Sequence, residues 1–517
     1  MMHFPRLSAL LLALSVADSP LSFVLAQSDD GQSAHMAARD SICVEDLRRH
    51  VGFLADDARE GREPGTPGGQ QAGDYLLHHL RDVATSSGID DELSVQTFGE
   101  GYRNVLGVVA GSDSNLRREV VVVCAHYDHV GRGNEENSRG PWGQIHNGAD
   151  DNASGVSAVL EIFDALCQLP TAPKRSVLFA FWDAEEKGSL GCKYWIAHPT
   201  LSLNHVMSAV NLDMIGRLRD NRLTVYGTRT AIGFRRLVSD NNLPARLSLD
   251  FSWDLDDDAD HFPFVDRGVP VLFLHTGEHD EFHSPHDDAD RINYEGLGRI
   301  TQLAFDVVCA VANQSDRPEF RQSARQETEE NRRQLEMRAP RLPDRLGAVW
   351  RSQGDLSGGV RVSGSLRGSP AEQADIRPND RVVRIAGQDV HSPEELQSAV
   401  LLAQHEVQLS WRRPGGAALI NRAVRLTGTP LRLGVTWRRD EAEPNTVVLT
   451  HVVAGSAAAK AGLRAGDRIY RVGGQDLADD DLLRQWAQSA AGAQSVLTER
   501  EGRIQAVELR LDAAPET

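Results

Sequence analysis

At 517 residues the chain is too long for one ordinary hydrophobic core, so two to four domains are expected. Its composition, 40% hydrophobic and 25% charged, is that of a globular protein and not of a disordered or fibrous one. The net charge of −19, from 74 acidic against 55 basic residues, weighs against a nucleic-acid or anionic-membrane surface, since both need clustered Lys and Arg.

The first element in chain order is a targeting segment. Arg6 precedes an apolar run over 7–17, and Val24-Leu25-Ala26 suits signal-peptidase cleavage, which gives a signal peptide over 1–26 and an exported protein, periplasmic or extracellular. An uncleaved anchor is disfavoured because the run is short and Asp18 and Pro20 interrupt it. No later stretch is long and apolar enough for a span, so no membrane span is expected after cleavage. The five cysteines, Cys43, Cys124, Cys167, Cys192 and Cys309, form no C-x-x-C pair, and buried thiols are the preferred reading.

Residues 40–314 alternate short apolar runs with helical patterns. The runs at 119–125 (EVVVVCA), 176–182 (SVLFAFW), 206–214 (VMSAVNLDM) and 269–275 (VPVLFLH) are nearly continuous, as in strands buried on both faces of a sheet. Between the first two, 153–169 is apolar at Val156, Val159, Leu160, Phe163 and Leu166, which is helical spacing. Strand, helix, strand in that order predicts an α/β domain with a mostly parallel central sheet flanked by helices. The next segment, 315–344, is charge-rich and poor in apolar residues until Pro340 and Pro343; it reads as a charged linker, with a solvated helix before the prolines.

Beyond it lies an internal repeat. Arg345-Leu346-Gly347 and Trp350-Arg351 recur as Arg432-Leu433-Gly434 and Trp437-Arg438, and Gly368-Ser369, Asp380-Arg381 and Gly387-Gln388-Asp389 recur at the same offset without a gap. Strands rich in Val, Ile and Leu with one helix per unit give two copies of a small, mainly β domain, over 345–428 and 430–514.

The acidic and imidazole side chains of the first domain gather where strands end. His126 and Asp128 follow the first strand, Asp150 and Asp151 precede the helix, Glu185 and Glu186 follow the second strand, Asp213 ends the third, and His283 follows the fourth. Ligands of open α/β sheets bind beyond the carboxyl ends of the strands. Each residue alone has an ordinary surface or capping explanation; together on one rim they would repel and partly protonate without cations between them.

The motifs H-Y-D at 126–128, N-G-A-D-D-N-A-S-G at 147–155, F-W-D-A-E-E at 181–186, N-L-D-M at 211–214 and F-H-S-P at 282–285 resemble the M28 family of zinc peptidases, in the family's order and over roughly 45–310. Glu60-Gly61-Arg62 is similar to its N-terminal region. The resemblance implies two Zn2+ per chain, one held by His126, Asp150 and Asp213 and the other by Asp150, Glu186 and His283, with Asp150 bridging and a cis peptide at 150–151. It implies Asp128 as the carboxylate that orients His126. It implies Glu185 as the general base on a metal-bridging water, returning the proton to the leaving amine. One departure is Phe282, where several members carry a tyrosine that stabilises the tetrahedral intermediate; another tyrosine, His286 or the metal would then serve. The loop 131–146 is expected to border the cleft, with Trp142 and His146 as substrate contacts or as ordinary loop packing. His261, in D-H-x-x-F, reads as structural or substrate-side.

The two repeats resemble PDZ domains of the bacterial protease type. In that fold Leu346, Gly347 and Ala348, and Leu433, Gly434 and Val435, form the loops that present N–H groups to a peptide's C-terminal carboxylate. The expectation is an exported zinc exopeptidase, an aminopeptidase acting on peptide substrates, with protein C-termini as possible PDZ partners. A carboxypeptidase or dipeptidase of the same fold, or a catalytically silent scaffold with PDZ modules, stays open as an alternative.

Overall fold

The structure is a computed structural model that describes residues 29–87, 93–338, 340–350 and 358–512; the expected signal peptide lies outside the described residues. The first domain is built on an eight-stranded sheet: β1 (Ser94–Phe98), β2 (Tyr102–Val109), β3 (Val120–His126), β4 (Ser176–Trp182), β5 (Val206–Leu212), β6 (Arg222–Tyr226), β7 (Ser248–Phe251) and β8 (Val271–His275). Their order is β1-β2-β4-β3-β5-β8-β6-β7. The four central strands β4, β3, β5 and β8 run parallel, while β2 joins β4 and β6 joins β8 antiparallel. The four apolar runs of the sequence are these parallel strands, and β3, β4 and β5 are buried at every position.

Burial on both faces explains why those runs do not alternate. Val121 and Val123 of β3 pack toward the helices Val44–Leu54, Pro67–Ser87, Gly155–Cys167 and Tyr294–Asn313, whereas Val122 and Cys124 pack with Trp182, Trp195 and Phe264 on the opposite face. The result is a three-layer α/β/α sandwich. All five cysteines are free thiols, and four of them are buried.

Two six-stranded sheets follow. Each repeat contributes a short helix capped by a serine hydroxyl, Pro370–Gln373 by Ser369 and Ala457–Lys460 by Ser456, and a longer one, Pro393–Leu402 or Asp480–Ser489. The strands Arg381–Ile385 and Arg468–Val472 fall where the repeat predicts them.

The segment between the domains is charged but is not a solvated spacer. Its helix, Glu329–Glu336, starts in a capping box made by Thr328 and Asn331 and is held from both sides. Arg332 pairs with Asp250 of β7 at 2.9 Å, and Glu336 receives Arg468 of the second repeat at 2.8 Å. Arg229 of the first domain bonds both Glu327 (2.6 Å) and Asp440 of the second repeat (2.7 Å), and Arg235 bonds Glu499 at 3.0 Å. The hairpin turn at Glu501-Gly502 completes the contact: the Leu249 N–H donates to the Glu501 carbonyl, and Gly502 lies so close that a Cβ would stand 2.4 Å from the Leu249 side chain. Glu327, Arg332 and Glu336 of this segment thus join the first domain to the second repeat through half-buried pairs.

Candidate active site

The strand ends and the loops after them bring the chemistry together. His126 is the last residue of β3, and its Nε2 lies 3.3 Å from Asp151 Oδ1 and 3.4 Å from Asp213 Oδ2. The other Asp151 oxygen lies 3.0 Å from His283 Nε2, which is also 3.1 Å from Glu186 Oε2. Two groups of donors therefore converge, His126, Asp151 and Asp213 in one and Asp151, Glu186 and His283 with His129 in the other; within each, the donor atoms lie within 4.8 Å of one another. They share Asp151.

The shared residue is one position later than the sequence suggests. Asp150 turns away: its Oδ1 accepts from the Gly216 N–H (2.6 Å) and the Ser154 hydroxyl (3.0 Å), and its Oδ2 faces His279 at 3.3 Å. The register is fixed from outside the motif, because Asp287 Oδ2 accepts from both the Asp150 and Asp151 N–H groups at 2.9 and 3.0 Å. The cis peptide likewise stands between Asp151 and Asn152, not at 150–151. Asn152 anchors the turn by accepting from Gly155 and donating to the Leu212 carbonyl.

Asp128 is fully buried, and its carboxylate does two things. It lies 3.7 Å from His126 Nδ1, beyond a direct hydrogen bond, while its Oδ1 and Oδ2 accept the backbone N–H groups of Glu185 and Glu186 at 3.0 and 3.2 Å. It thus sets the turn that aims both glutamates at the cluster. Glu185 carries a single side-chain partner, the Ser189 hydroxyl at 3.2 Å, and burial raises its pKa well above the usual carboxylate range. Such a carboxylate is a stronger base than one in water.

His129 and Asp287 are the residues that reading the sequence did not find. His129 is buried, with Nδ1 at 2.7 Å from Glu186 Oε1, and it fits only because Gly148 lies beside it: a Cβ there would stand 2.6 Å from the imidazole ring. The H-Y-D-H run was the available signal. Arg62, fully buried, donates to the carbonyls of Leu54, Tyr127, Asn147 and Gly148 and binds the loops carrying His126 and Asp151 to one another. The loop 131–146 does border the site, since Ser138 and Arg139 bond the His283 carbonyl, but His146 is used in packing against Ser138 and Gln144, and Trp142 is exposed. Phe282 stacks on the His283 ring at 4.0 Å. Tyr226 is the tyrosine that lines the cleft, and His286 stands outside it, exposed.

The charges of the cluster are unbalanced as they stand. Burial opposes a charge on His126, yet Asp213, Asp128 and Asp151 outweigh it and hold the ring well above its ordinary pKa; burial raises Asp213. Among the described residues Asp213 Oδ1 has no hydrogen-bond partner although it is buried. Three imidazoles and three carboxylates, shared between two groups, are a donor set that fits divalent cations of the zinc type, which would replace the shared protons.

In the repeats, the loop amides are already engaged. The Gly347 N–H donates to Asp344 Oδ1 at 2.6 Å, and the Gly434 N–H to the Leu431 carbonyl at 2.8 Å. Leu346, Ala348, Leu433 and Val435 are buried beside them.

Comparison with known proteins agrees with this architecture. Residues 104–308 match the model of Peptidase family M28, and residues 361–413 and 448–499 each match that of the PDZ domain. Leupeptin-inactivating enzyme 1 of Streptomyces exfoliatus is 28% identical over 250 residues, which cover 46% of this chain and 50% of that protein. Aminopeptidase YwaD of Bacillus subtilis is 27% identical over 227 residues, 42% of this chain and 46% of that one. The LapA aminopeptidase of Legionella pneumophila, a solved structure, aligns with a TM-score of 0.49 at 17% identity over 60% of this chain and 81% of that one. The chain spans about half the length of the curated relatives it matches. The sequence motifs, the sheet order and the family match converge: this chain carries a peptidase domain of the M28 family followed by two PDZ domains.

Proposed function

We propose that the protein is an exported di-zinc exopeptidase that removes N-terminal residues from peptides. The observation that carries this reading is the pair of donor groups joined at the buried Asp151 with Glu185 beside them. His126, Asp151 and Asp213 would hold one zinc and Asp151, Glu186 and His283 the other, with Asp151 in the bridging role expected of Asp150. Zinc bound there would polarise the scissile carbonyl and lower the pKa of water. Glu185 takes the proton of the attacking water at its carboxylate and returns it to the leaving amine, a task its burial suits. Asp128 acts as a positioning residue through the Glu185 and Glu186 amides. Leupeptin-inactivating enzyme and aminopeptidase among the relatives favour peptide substrates cut from the N-terminus. Among the described residues no helix is long and apolar enough to cross a membrane. The PDZ loops are assigned to peptide or protein C-termini; a carboxylate there must displace Asp344 from Gly347 or Leu431 from Gly434, or use neighbouring amides.

The test is zinc content per chain together with hydrolysis of aminoacyl-p-nitroanilides by wild type and Glu185→Gln. The expected result is two zincs in both proteins and a loss of turnover of at least about 100-fold in the variant. Two zincs without aminoacyl hydrolysis would point to a carboxypeptidase or dipeptidase, and absence of bound metal would leave a scaffold.

A further inference from the structure

At the donor groups a cavity of about 510 Å3 opens, lined by Glu185, Glu186 and His283 and also by Tyr226, Phe273 and the run Asp256-Asp257-Asp258. We propose that this cavity is a subsite for the basic side chain of a Lys or Arg at the peptide's N-terminal position, with the three aspartates as its acidic wall. The inference rests on the exopeptidase reading for the identity of the ligand and deepens it by naming the substrate class.

Four observations carry it. First, the three aspartates are exposed, among the described residues none of their carboxylates makes an ion pair or a hydrogen bond, and partial burial followed by the charges of Asp258, Asp254 and Asp257 raises Asp256 above its ordinary pKa. Second, among the described residues no cation of the cavity wall is paired with these aspartates, since the His126 and His283 imidazoles face Asp151, Asp213 and Glu186. Lys193 is the one lysine on its lining, and its ammonium is turned to the Gly188 carbonyl at 2.8 Å. His261, only 1% exposed, lines the same cavity; burial holds it neutral with a pKa near 3 against a weak pull from the Asp256 backbone, and among the described residues neither ring nitrogen reaches a partner in good hydrogen-bond geometry. A buried imidazole left without a partner is an acceptor and donor kept for something that enters the cavity.

Third, the remaining walls are aromatic. Tyr226 and Phe273 stack at 5.2 Å, and His261 stacks on Phe273 at 4.7 Å, which gives flat faces for the aliphatic stem or guanidinium of a long cationic side chain. The Tyr226 hydroxyl is pushed up to about 12 by burial and then by Asp256 and Asp258, so it stays a donor and those two carboxylates act on the same space. Fourth, the acidic run is held at its root. Trp253 lies under the Arg229 guanidinium at 3.5 Å and its N–H donates to Glu329, while Asp254 accepts from the Glu329 N–H at 3.1 Å. An acidic first residue would meet repulsion here.

The α-amine of any peptide is also a cation, so the test separates the two. Binding of argininamide and of citrullinamide, its neutral counterpart with the same α-amine, is measured by calorimetry on the full chain carrying Glu185→Gln. The same measurement follows with Asp256→Asn and Asp258→Asn added. Kinetics of wild type on Arg-, citrulline- and Leu-p-nitroanilide run in parallel. We expect argininamide to bind at least about tenfold more tightly than citrullinamide, and that ratio to fall toward one when the two aspartates are replaced. Equal binding of the two amides overturns the subsite, and equal binding that acetylation of the α-amine abolishes overturns it in favour of amine recognition. A retained preference for argininamide with no nitroanilide hydrolysed supports the subsite and removes the aminopeptidase reading instead.

Discussion

At the residue scale the difference between Asp150 and Asp151 decides the chemistry, and two adjacent aspartates give the sequence no means of choosing. Periodicity is silent in a turn, and the deciding contacts come from Asp287 and Gly216, 136 and 66 positions away from their partners. The other candidate donors are legible because each follows a strand whose apolar run is unmistakable, and His129 is not, because a histidine in a turn has many ordinary uses. The prediction follows from the geometry. Asp151→Asn removes one negative charge shared by both donor groups and should lower zinc content below one per chain with loss of turnover. Asp150→Asn keeps Oδ1 as an acceptor for Gly216 and Ser154 and should retain two zincs. Metal analysis of the two variants side by side checks it; equal loss in both would return the bridging role to Asp150.

At the element scale, the strands that the sequence announces are those buried on both faces, β3, β4, β5 and β8. The outer strands β1, β6 and β7 are short and half-exposed, and in β6 only Leu223 and Val225 are fully buried, too few residues to stand out from a loop. These inconspicuous strands nevertheless build the cleft, since Tyr226 ends β6 and the acidic run follows β7. What fixes the loops to the rigid sheet is Arg62. Its guanidinium meets four carbonyls from three segments, and burial lowers its pKa to about 10 while Asp151, Asp128, Asp287 and Glu186 support its charge. Replacing it by methionine keeps the bulk but strands those carbonyls in the interior. Arg62→Met should therefore cost at least about 3 kcal/mol in urea unfolding, and it should weaken zinc binding because the loops bearing His126 and Asp151 lose their common tie. A change below about 1 kcal/mol would mean that the loops hold their places without it.

At the scale of the whole molecule, the repeat and the two-part organisation can be read directly from the sequence, but the docking of the second PDZ domain cannot. A charge-rich segment resembles a solvated linker unless its partners are known, and here the partners lie in different domains. Arg229 joins Glu327 to Asp440, and Glu336 lies among Arg468, Arg235 and Arg332. Because Arg229 also covers Trp253, the root of the acidic run at the cleft is tied to the second PDZ domain. Burial alone would raise Glu336, but Arg468, Arg235 and Arg332 outweigh it and hold it at about 2, and Arg229 and Arg321 do the same for Glu327. A carboxyl whose pKa is depressed on folding contributes stability that is fully present above its unfolded value, near 4.5, and is lost as the pH falls from there toward 2. Other carboxylates titrate in the same window, so the informative quantity is a difference. At pH 7 Glu336→Gln should be less stable than wild type by about 3 kcal/mol, since it leaves buried arginines short of a partner. As the pH is lowered from 4.5 to 2, wild type loses the same contact by protonation and the gap between the two proteins should close. Urea unfolding of both across that range measures it, and a gap that stays constant with pH would show that Glu336 is not what holds the domains together.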